Sequence, residues 1–206
     1  MTRIAVCTPY YDTNCKMWFA ESLAKTVWPR ESDVQFLKTC GMWIPNALKL
    51  MVEKSLEMGA DWIVVISSDV GWYSNDIAKL ISHNLPIVGG WASGRFHPFT
   101  CHVADFIDVD TRRLRPVRNP KERRGIEEVC GNGGELIVYR ADVFKTIPSP
   151  WFFGSEMVDG DRMMSEDYYF ALQCKKHGVK MYVDWSVSLI HGADGMITQN
   201  GELIAR

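Results

Sequence analysis

The chain of 206 residues has 47% apolar and 23% charged side chains, and its 23 Lys and Arg stand against 25 Asp and Glu for a formal charge of −2. That balance excludes a generally basic nucleic-acid binder and an acidic disordered tail, and the length suffices for one domain with a sizeable core. No apolar run approaches the ~18 residues that span a bilayer, and residues 1–7 are too short and too soon interrupted for a signal peptide, so a soluble chain that is not secreted is expected.

Residues 3–8 form a short apolar run closed by Pro9 and read as a buried first strand. Helix formers fill 16–27 up to the Trp28-Pro29 break, and 33–39 reads as a second strand. Ile44, Ala47, Leu48, Met51, Val52, Ser55 and Leu56 recur at helical spacing, with Pro45 in the first turn and Gly59 past the end. Residues 62–66 are apolar at every position, as in a strand buried on both faces, and the run stops at Ser67-Ser68-Asp69. Ser74 is expected to cap a helix through His83, and 85–88 leads to Gly89-Gly90. This β-α-β-α-β-α-β order predicts a parallel sheet flanked by helices. Short strands follow near 101–107 and 134–139, then a helix from Ser165 to Gly178 and two short strands near 179–184 and 187–190. No linker or repeat divides the chain, so one domain over 1–206 is expected.

Six cysteines at 7, 15, 40, 101, 130 and 174 include no Cys-x-x-Cys pair, which predicts reduced, buried thiols. His97, Cys101, His102 and Cys130 match no zinc spacing. Residues 112–124 hold seven basic side chains and one acid, leaving sixteen basic against twenty-four acidic residues, about −8, elsewhere. Both a solvated, Pro-containing edge hairpin and a polyanion contact, with a diphosphate or a nucleic-acid backbone, fit this stretch.

In open parallel sheets, ligands gather beyond the carboxyl ends of the strands. Three polar clusters fall there: Thr8-Pro9-Tyr10-Tyr11-Asp12, Ser67-Ser68-Asp69 and His191-Gly192-Ala193-Asp194. One such Asp is commonly a turn residue or a cap; three clusters on one edge point to a site. No Gly-x-Gly-x-x-Gly follows the first strand, Gly131-Asn132-Gly133-Gly134 precedes a strand, and neither a P-loop nor a nucleophile elbow is present. Something else must hold any phosphates, and a divalent metal on carboxylate ligands is the obvious candidate.

Four stretches in order resemble the GT-A fold glycosyltransferases, compact members similar to glycosyltransferase family 2. Residues 4–11 look like the opening strand and donor-binding turn. Residues 61–70, ending in Ser67-Ser68-Asp69-Val70, look like the strand leading to the Asp-x-Asp motif. Gly131–Leu136 with Arg140–Phe144 looks like the glycine loop and following helix. Ser165-Glu166-Asp167 with 176–184 and His191 looks like the acceptor-side acidic motif, its helix and the C-terminal histidine. The resemblance implies an α/β GT-A fold: a Rossmann-like, mostly parallel central sheet flanked by helices, with a smaller mixed acceptor-side sheet. It implies a nucleotide-sugar-binding half over 1–100 and an acceptor-binding, catalytic half over 101–206.

It further implies transfer of a sugar from a nucleotide-diphosphate donor, UDP-linked, to an acceptor hydroxyl. A divalent metal, Mn²⁺ or Mg²⁺, would sit on Asp69 and His191 and neutralise the leaving diphosphate. Family members often have Asp where Ser67 stands, so the first carboxylate of the metal motif is missing. Asp167 is expected as general base with Glu166 beside it, both in the first helical turn after an N-cap at Ser165, where the dipole favours the ionised carboxylate. An Asp base implies inversion; a retaining mechanism, which needs no such base, stays open from sequence. Thr8, Pro9, Tyr10, Tyr11, Ser67 and Ser68 are expected to contact the donor with Asp69, and Asn46 and Arg95 match donor-contacting positions of similar proteins. Gly133 and Gly134 would let backbone approach the acceptor, and Trp151 and Phe152 suggest an aromatic wall for it.

The acceptor, a saccharide, a protein or a DNA base, stays open. The small size resembles enzymes of some viruses and phages, which with the 112–124 segment keeps hydroxylated DNA bases among the acceptors and host cytoplasm as the location. A sugar nucleotidyltransferase would need a Gly-rich, Arg- and Lys-containing loop where Thr8-Pro9-Tyr10-Tyr11 stands. A non-catalytic carbohydrate- or nucleic-acid-binding domain would keep the aromatics without needing Asp69, Asp167 and His191 together.

Overall fold

The structure, a computed structural model, describes residues 1–10, 14–93, 101–111, 113–153, 156–158, 162–192, 196–197 and 203–204. In chain order the elements are β1 (Thr2–Tyr10), α1 (Met17–Lys25), β2 (Ser32–Cys40), α2 (Ile44–Glu57), β3 (Trp62–Ile66), β4 (Val70–Gly71), α3 (Asp76–Ser82) and β5 (Ile87–Trp91). Then come β6 (Val103–Ile107), β7 (Leu114–Pro116), β8 (Ile126–Val129), β9 (Gly131–Asn132), β10 (Leu136–Arg140) and α4 (Val143–Thr146). The remainder are β11 (Glu156–Val158), β12 (Arg162–Met164), α5 (Glu166–Lys176), β13 (Met181–Ser188), β14 (Ile190–Gly192), β15 (Met196–Ile197) and β16 (Leu203–Ile204).

The central sheet runs β2-β1-β3-β10-β5-β13-β8. β1 lies parallel to β2 and β3, and β5 parallel to β13, while β10 is antiparallel to both β3 and β5 and β8 to β13. Five strands therefore share one direction and β10 and β8 oppose it, the mostly parallel α/β sheet expected. One detail differs from the β-α-β-α-β-α-β reading: β5 does not neighbour β3. β10, from the second half of the chain, is wedged between them, and its Leu136–Tyr139 run is buried on both faces. The smaller sheets, β16-β15-β14-β4, β7-β6-β9 and the β11-β12 pair, are antiparallel rather than mixed.

Strand periodicity divides the core. Trp62, Val64 and Ile66 of β3 join Ile4, Val6, Leu136 and Val138 on one face, covered by Phe19 of α1 and by Ile77, Leu80 and Ile81 of α3. Ile63 and Val65 join Cys7, Ile137 and Tyr139 on the other, covered by Ala47, Leu48, Met51 and Val52 of α2 and by Phe170–Leu172 of α5. Each such fully buried aliphatic side chain contributes about 1.5–3 kcal/mol relative to an exposed one. α2 begins with Pro45 in its first turn and gives way to Gly59 at φ +70°, a left-handed position natural to glycine.

Three local expectations are corrected. Ser74 does not cap α3: Asn75 holds the N-cap position without a side-chain bond, and the Tyr73 N–H instead donates to the Asp76 carboxylate at 2.8 Å. The two strands expected near 179–184 and 187–190 are largely one, β13, with an irregularity between Val183 and Ser188. All six cysteines are free, but Cys15 and Cys40 are exposed. The 112–124 segment contributes β7 at the edge of its small sheet. There Arg115 pairs with Asp105 at 2.8 Å, Arg123 pairs with Glu127, and Arg124 donates to backbone carbonyls. Among the described residues, no helix is long and apolar enough to cross a membrane.

Candidate functional site

A cavity of about 680 Å³ opens where β1 and β3 end, roofed by the start of α5 and flanked by β14 and the turn before β10. Asp69, Glu135, Glu166 and Asp167 line it together with His102 and His191, and no Lys or Arg is among its described lining residues.

Sheet register aims these groups at one another. β10 pairs with β3 as Leu136 opposite Ile66, and the Ser67 N–H donates to the Glu135 carbonyl at 2.9 Å, so Glu135 is the cross-strand neighbour of Ser67. β14 pairs with β4 as His191 opposite Val70, which brings His191 Nε2 to 3.8 Å from Asp69 Oδ2. His191 Nδ1 is 3.1 Å from the Ser93 carbonyl. A carbonyl only accepts, so Nδ1 carries a proton and donates to it, which leaves Nε2 as the nitrogen that faces Asp69. β6 pairs with β9 as Val103 opposite Asn132, which puts His102 across from Gly133. His102 Nδ1 hydrogen-bonds Glu135 Oε1, and the two imidazoles meet edge to face at 5.5 Å between centroids. Ligand atoms of His102, Glu135 and His191 all lie within 4.8 Å of one another. The Asp69 carboxylate stands beside this group, 3.8 Å from His191 Nε2, and an oxygen and an imidazole nitrogen so placed are donors that fit a divalent cation.

The acids of α5 face the same space. Ser165 occupies the N-cap, but its side chain bonds the Asp167 carboxylate instead of capping the backbone, and Asp167 Oδ1 accepts the Tyr168 N–H at 2.9 Å. Burial, with the negative charges of Glu166 and Glu135, pushes Asp167 up to about 7. Burial, then Glu135, also raises Glu166. The helix dipole does not keep Asp167 in the ordinary carboxylate range: desolvation and like charge outweigh it here. Glu135 behaves oppositely. Burial pushes its carboxyl up, but the His102 hydrogen bond and the charges of His102 and His191 hold it below the usual range.

Of the residues expected from sequence, Pro9, Ser67, Ser68, Asp69, Gly133, Glu166, Asp167 and His191 line this one cavity. Gly134, at φ +79°, lies against Asp167, whose Cβ would sit 3.5 Å from an added Cβ. Thr8 is buried within β1 and Tyr10 packs edge to face on Phe19 at 6.1 Å, so neither lines the cavity, and Asn46 is exposed on α2 outside it. Trp151 and Phe152 do not form an acceptor wall. They are buried with Phe144 and Phe170, Phe152 stacking on Phe170 at 5.1 Å and Trp151 Nε1 donating to the Ile147 carbonyl at 2.7 Å. Tyr11 and Arg95 lie outside the described residues, as does His97.

Sequence reasoning missed His102, which it weighed only in a zinc spacing, and Glu135, which it passed over inside the glycine loop. The signal for Glu135 is a single acid between Gly133-Gly134 and the buried Leu136–Val138 run. His102 has no comparable signal.

No family model matches the chain, and no curated protein does at a significant level. Solved structures do. A197 from STIV superposes with a TM-score of 0.70 at 16% identity, over 100% of this chain and 94% of that one. GalNAc-T7, crystallised with UDP, GalNAc and Mn²⁺, superposes with a TM-score of 0.60 at 12% identity. That match covers 93% of this chain but 44% of GalNAc-T7, so the present chain spans under half of that neighbour. The chain has the compact GT-A fold of these structures.

Proposed function

We propose that this chain is a glycosyltransferase that moves a sugar from a nucleotide-diphosphate donor, UDP-linked, to an acceptor hydroxyl with inversion. One observation carries the proposal: Asp69, Glu166, Asp167 and His191, drawn from distant parts of the chain, line a single cavity at the carboxyl ends of the strands. The neighbour crystallised with UDP, GalNAc and Mn²⁺ supports the donor class. Residues 1–100 supply the donor side, through Pro9 and Ser67–Asp69, and 101–206 the acceptor and catalytic side.

Asp69 and His191 would hold a divalent cation, which when bound neutralises charge building on the leaving diphosphate. Asp167 accepts the proton of the acceptor hydroxyl as its oxygen bonds the anomeric carbon and the bond to the phosphate oxygen breaks on the opposite side. A carboxyl held near neutrality suits that transfer, because its proton affinity is matched to the working pH. The Tyr168 N–H and the Ser165 side chain fix the orientation of the carboxylate. The acceptor is a saccharide or protein hydroxyl in preference to a DNA base, since no Lys or Arg is among the described lining residues of the cavity to meet a nucleic-acid backbone.

The test is the thermal shift of the protein with a panel of nucleoside diphosphates, each with Mn²⁺ and with a chelator, alongside UDP release from UDP-sugars by the wild type and Asp167→Asn. The expected result is stabilisation by UDP that the chelator removes, with turnover abolished and UDP binding kept in the variant. No stabilisation by any diphosphate would leave a non-catalytic binding domain in its place.

A further inference from the structure

Ser67 stands where a metal-binding carboxylate is expected, yet the structure puts a carboxylate beside that position from the neighbouring strand. Glu135 lies directly across from Ser67 in the β3–β10 register, and residues opposite one another in a sheet point to the same face. Its carboxyl is buried at 4% residue exposure, within the cavity, and engaged by His102. A buried acid–histidine pair can be a purely structural contact, and two features separate this one from that case. The pair is joined by His191, whose other nitrogen is committed to the Ser93 carbonyl, so three ligand atoms converge within 4.8 Å. The backbone is also shaped to admit the pair: a Cβ at Gly133 would fall 2.6 Å from the Cβ of His102 and 3.0 Å from Glu135 Oε2. Only a glycine lets the two side chains meet.

We propose that Glu135 and His102 are metal ligands, completing with Asp69 and His191 a site of two imidazoles and two carboxylates that takes the place of the carboxylate absent at Ser67. The proposal rests on the metal-bridged donor site argued above and assigns this chain's own ligands and preference within it. Oxygen-only sites suit Mg²⁺ and Ca²⁺, whereas two imidazole nitrogens favour the divalent transition metals, with affinity rising from Mn²⁺ to Co²⁺ and Zn²⁺. The site therefore selects Mn²⁺, Co²⁺ or Zn²⁺ over Mg²⁺.

The experiment uses Mn²⁺ itself as probe. Mn²⁺ binding is followed by electron paramagnetic resonance, with pulsed detection of ¹⁴N couplings, for the wild type, His102→Gln and Glu135→Gln, each with and without UDP. Expected are two coupled imidazole nitrogens in the wild type and one in His102→Gln, with at least a tenfold loss of Mn²⁺ affinity in both variants. Competition by Mg²⁺ should need at least a tenfold excess in the wild type and less in His102→Gln. One nitrogen in the wild type overturns the proposal even if neither variant folds, as does affinity unchanged in folded variants or no Mn²⁺ binding with or without UDP. UDP that fails to bind while Mn²⁺ shows two nitrogens would overturn the donor reading and leave the ligand assignment standing.

Discussion

Among the described residues, two clusters bury a carboxylate against histidine, and they differ in what surrounds the pair. On β13, Asp184 accepts from His83 Nε2 at 2.9 Å, from the Ser186 N–H at 2.9 Å and from the Ser186 hydroxyl, with Lys79 Nζ at 3.5 Å. Despite burial, those bonds and the lysine hold its carboxyl below the usual range. In the cavity, four carboxylates face two histidines. Glu135 is held down by His102, but Glu166 and Asp167 are pushed up. A buried acid with its partners in place ties α3 to β13 and needs nothing more. A surplus of acid over base leaves proton affinity and cation affinity unspent, which is what a reactive site requires.

Substitutions that remove one carboxylate from each cluster should break this contrast most sharply. Asp167→Asn is expected to lower kcat by about 10²–10⁴-fold, the usual worth of a general base, with UDP affinity unchanged in a calorimetric titration. Equal losses in turnover and binding would make Asp167 a donor contact instead. Asp184→Asn should act on stability alone, lowering unfolding free energy by about 2–4 kcal/mol in denaturant titration because it strips a buried charge from His83 and Ser186. Loss of Mn²⁺ binding in that variant would erase the distinction between the clusters.

The pH dependence has opposite sign in the two places. Asp167, raised from 3.8 to about 7, gives no penalty below the unfolded carboxylate range and a growing one as pH rises toward 7. In chelated protein, Asp167→Asn should therefore unfold like the wild type near pH 4 and be more stable above pH 7 by about 1–3 kcal/mol. Asp184, lowered from 3.8, contributes support that is present above that range and lost as pH falls through it, so the Asp184→Asn defect should shrink below pH 4. Thermal melts of both variants between pH 3.5 and 8 read the two slopes. The smallest effect is expected at the exposed basic side chains: Arg118→Ser and Lys121→Ser should change unfolding free energy by no more than ~0.5 kcal/mol.

Much of this architecture was legible in the chain. Alternating apolar residues and breakers marked β1, α2 and β3, because burial on one or both faces leaves a period in sequence. Asp69, Asp167 and His191 could be singled out from strand-end position and ordered motifs. Trp151 and Phe152 could not be sorted between wall and core, since aromatic composition says nothing about which side of Phe144 and Phe170 they take. The raised proton affinity of Asp167 was legible only in part: the neighbouring charge of Glu166 is local, whereas burial, the largest influence, and Glu135 arrive from elsewhere in the fold.

By itself the sequence determined the α/β alternation, the strand-end polar clusters and the missing carboxylate at Ser67. Those are local properties, set by side-chain period, turn residues and short motifs. Only the tertiary structure decided that β10 enters between β3 and β5, that Glu135 thereby stands across from Ser67, and that His102 meets it over Gly133. Strand order and register join residues far apart in the chain. No local pattern encodes which of them will share a face.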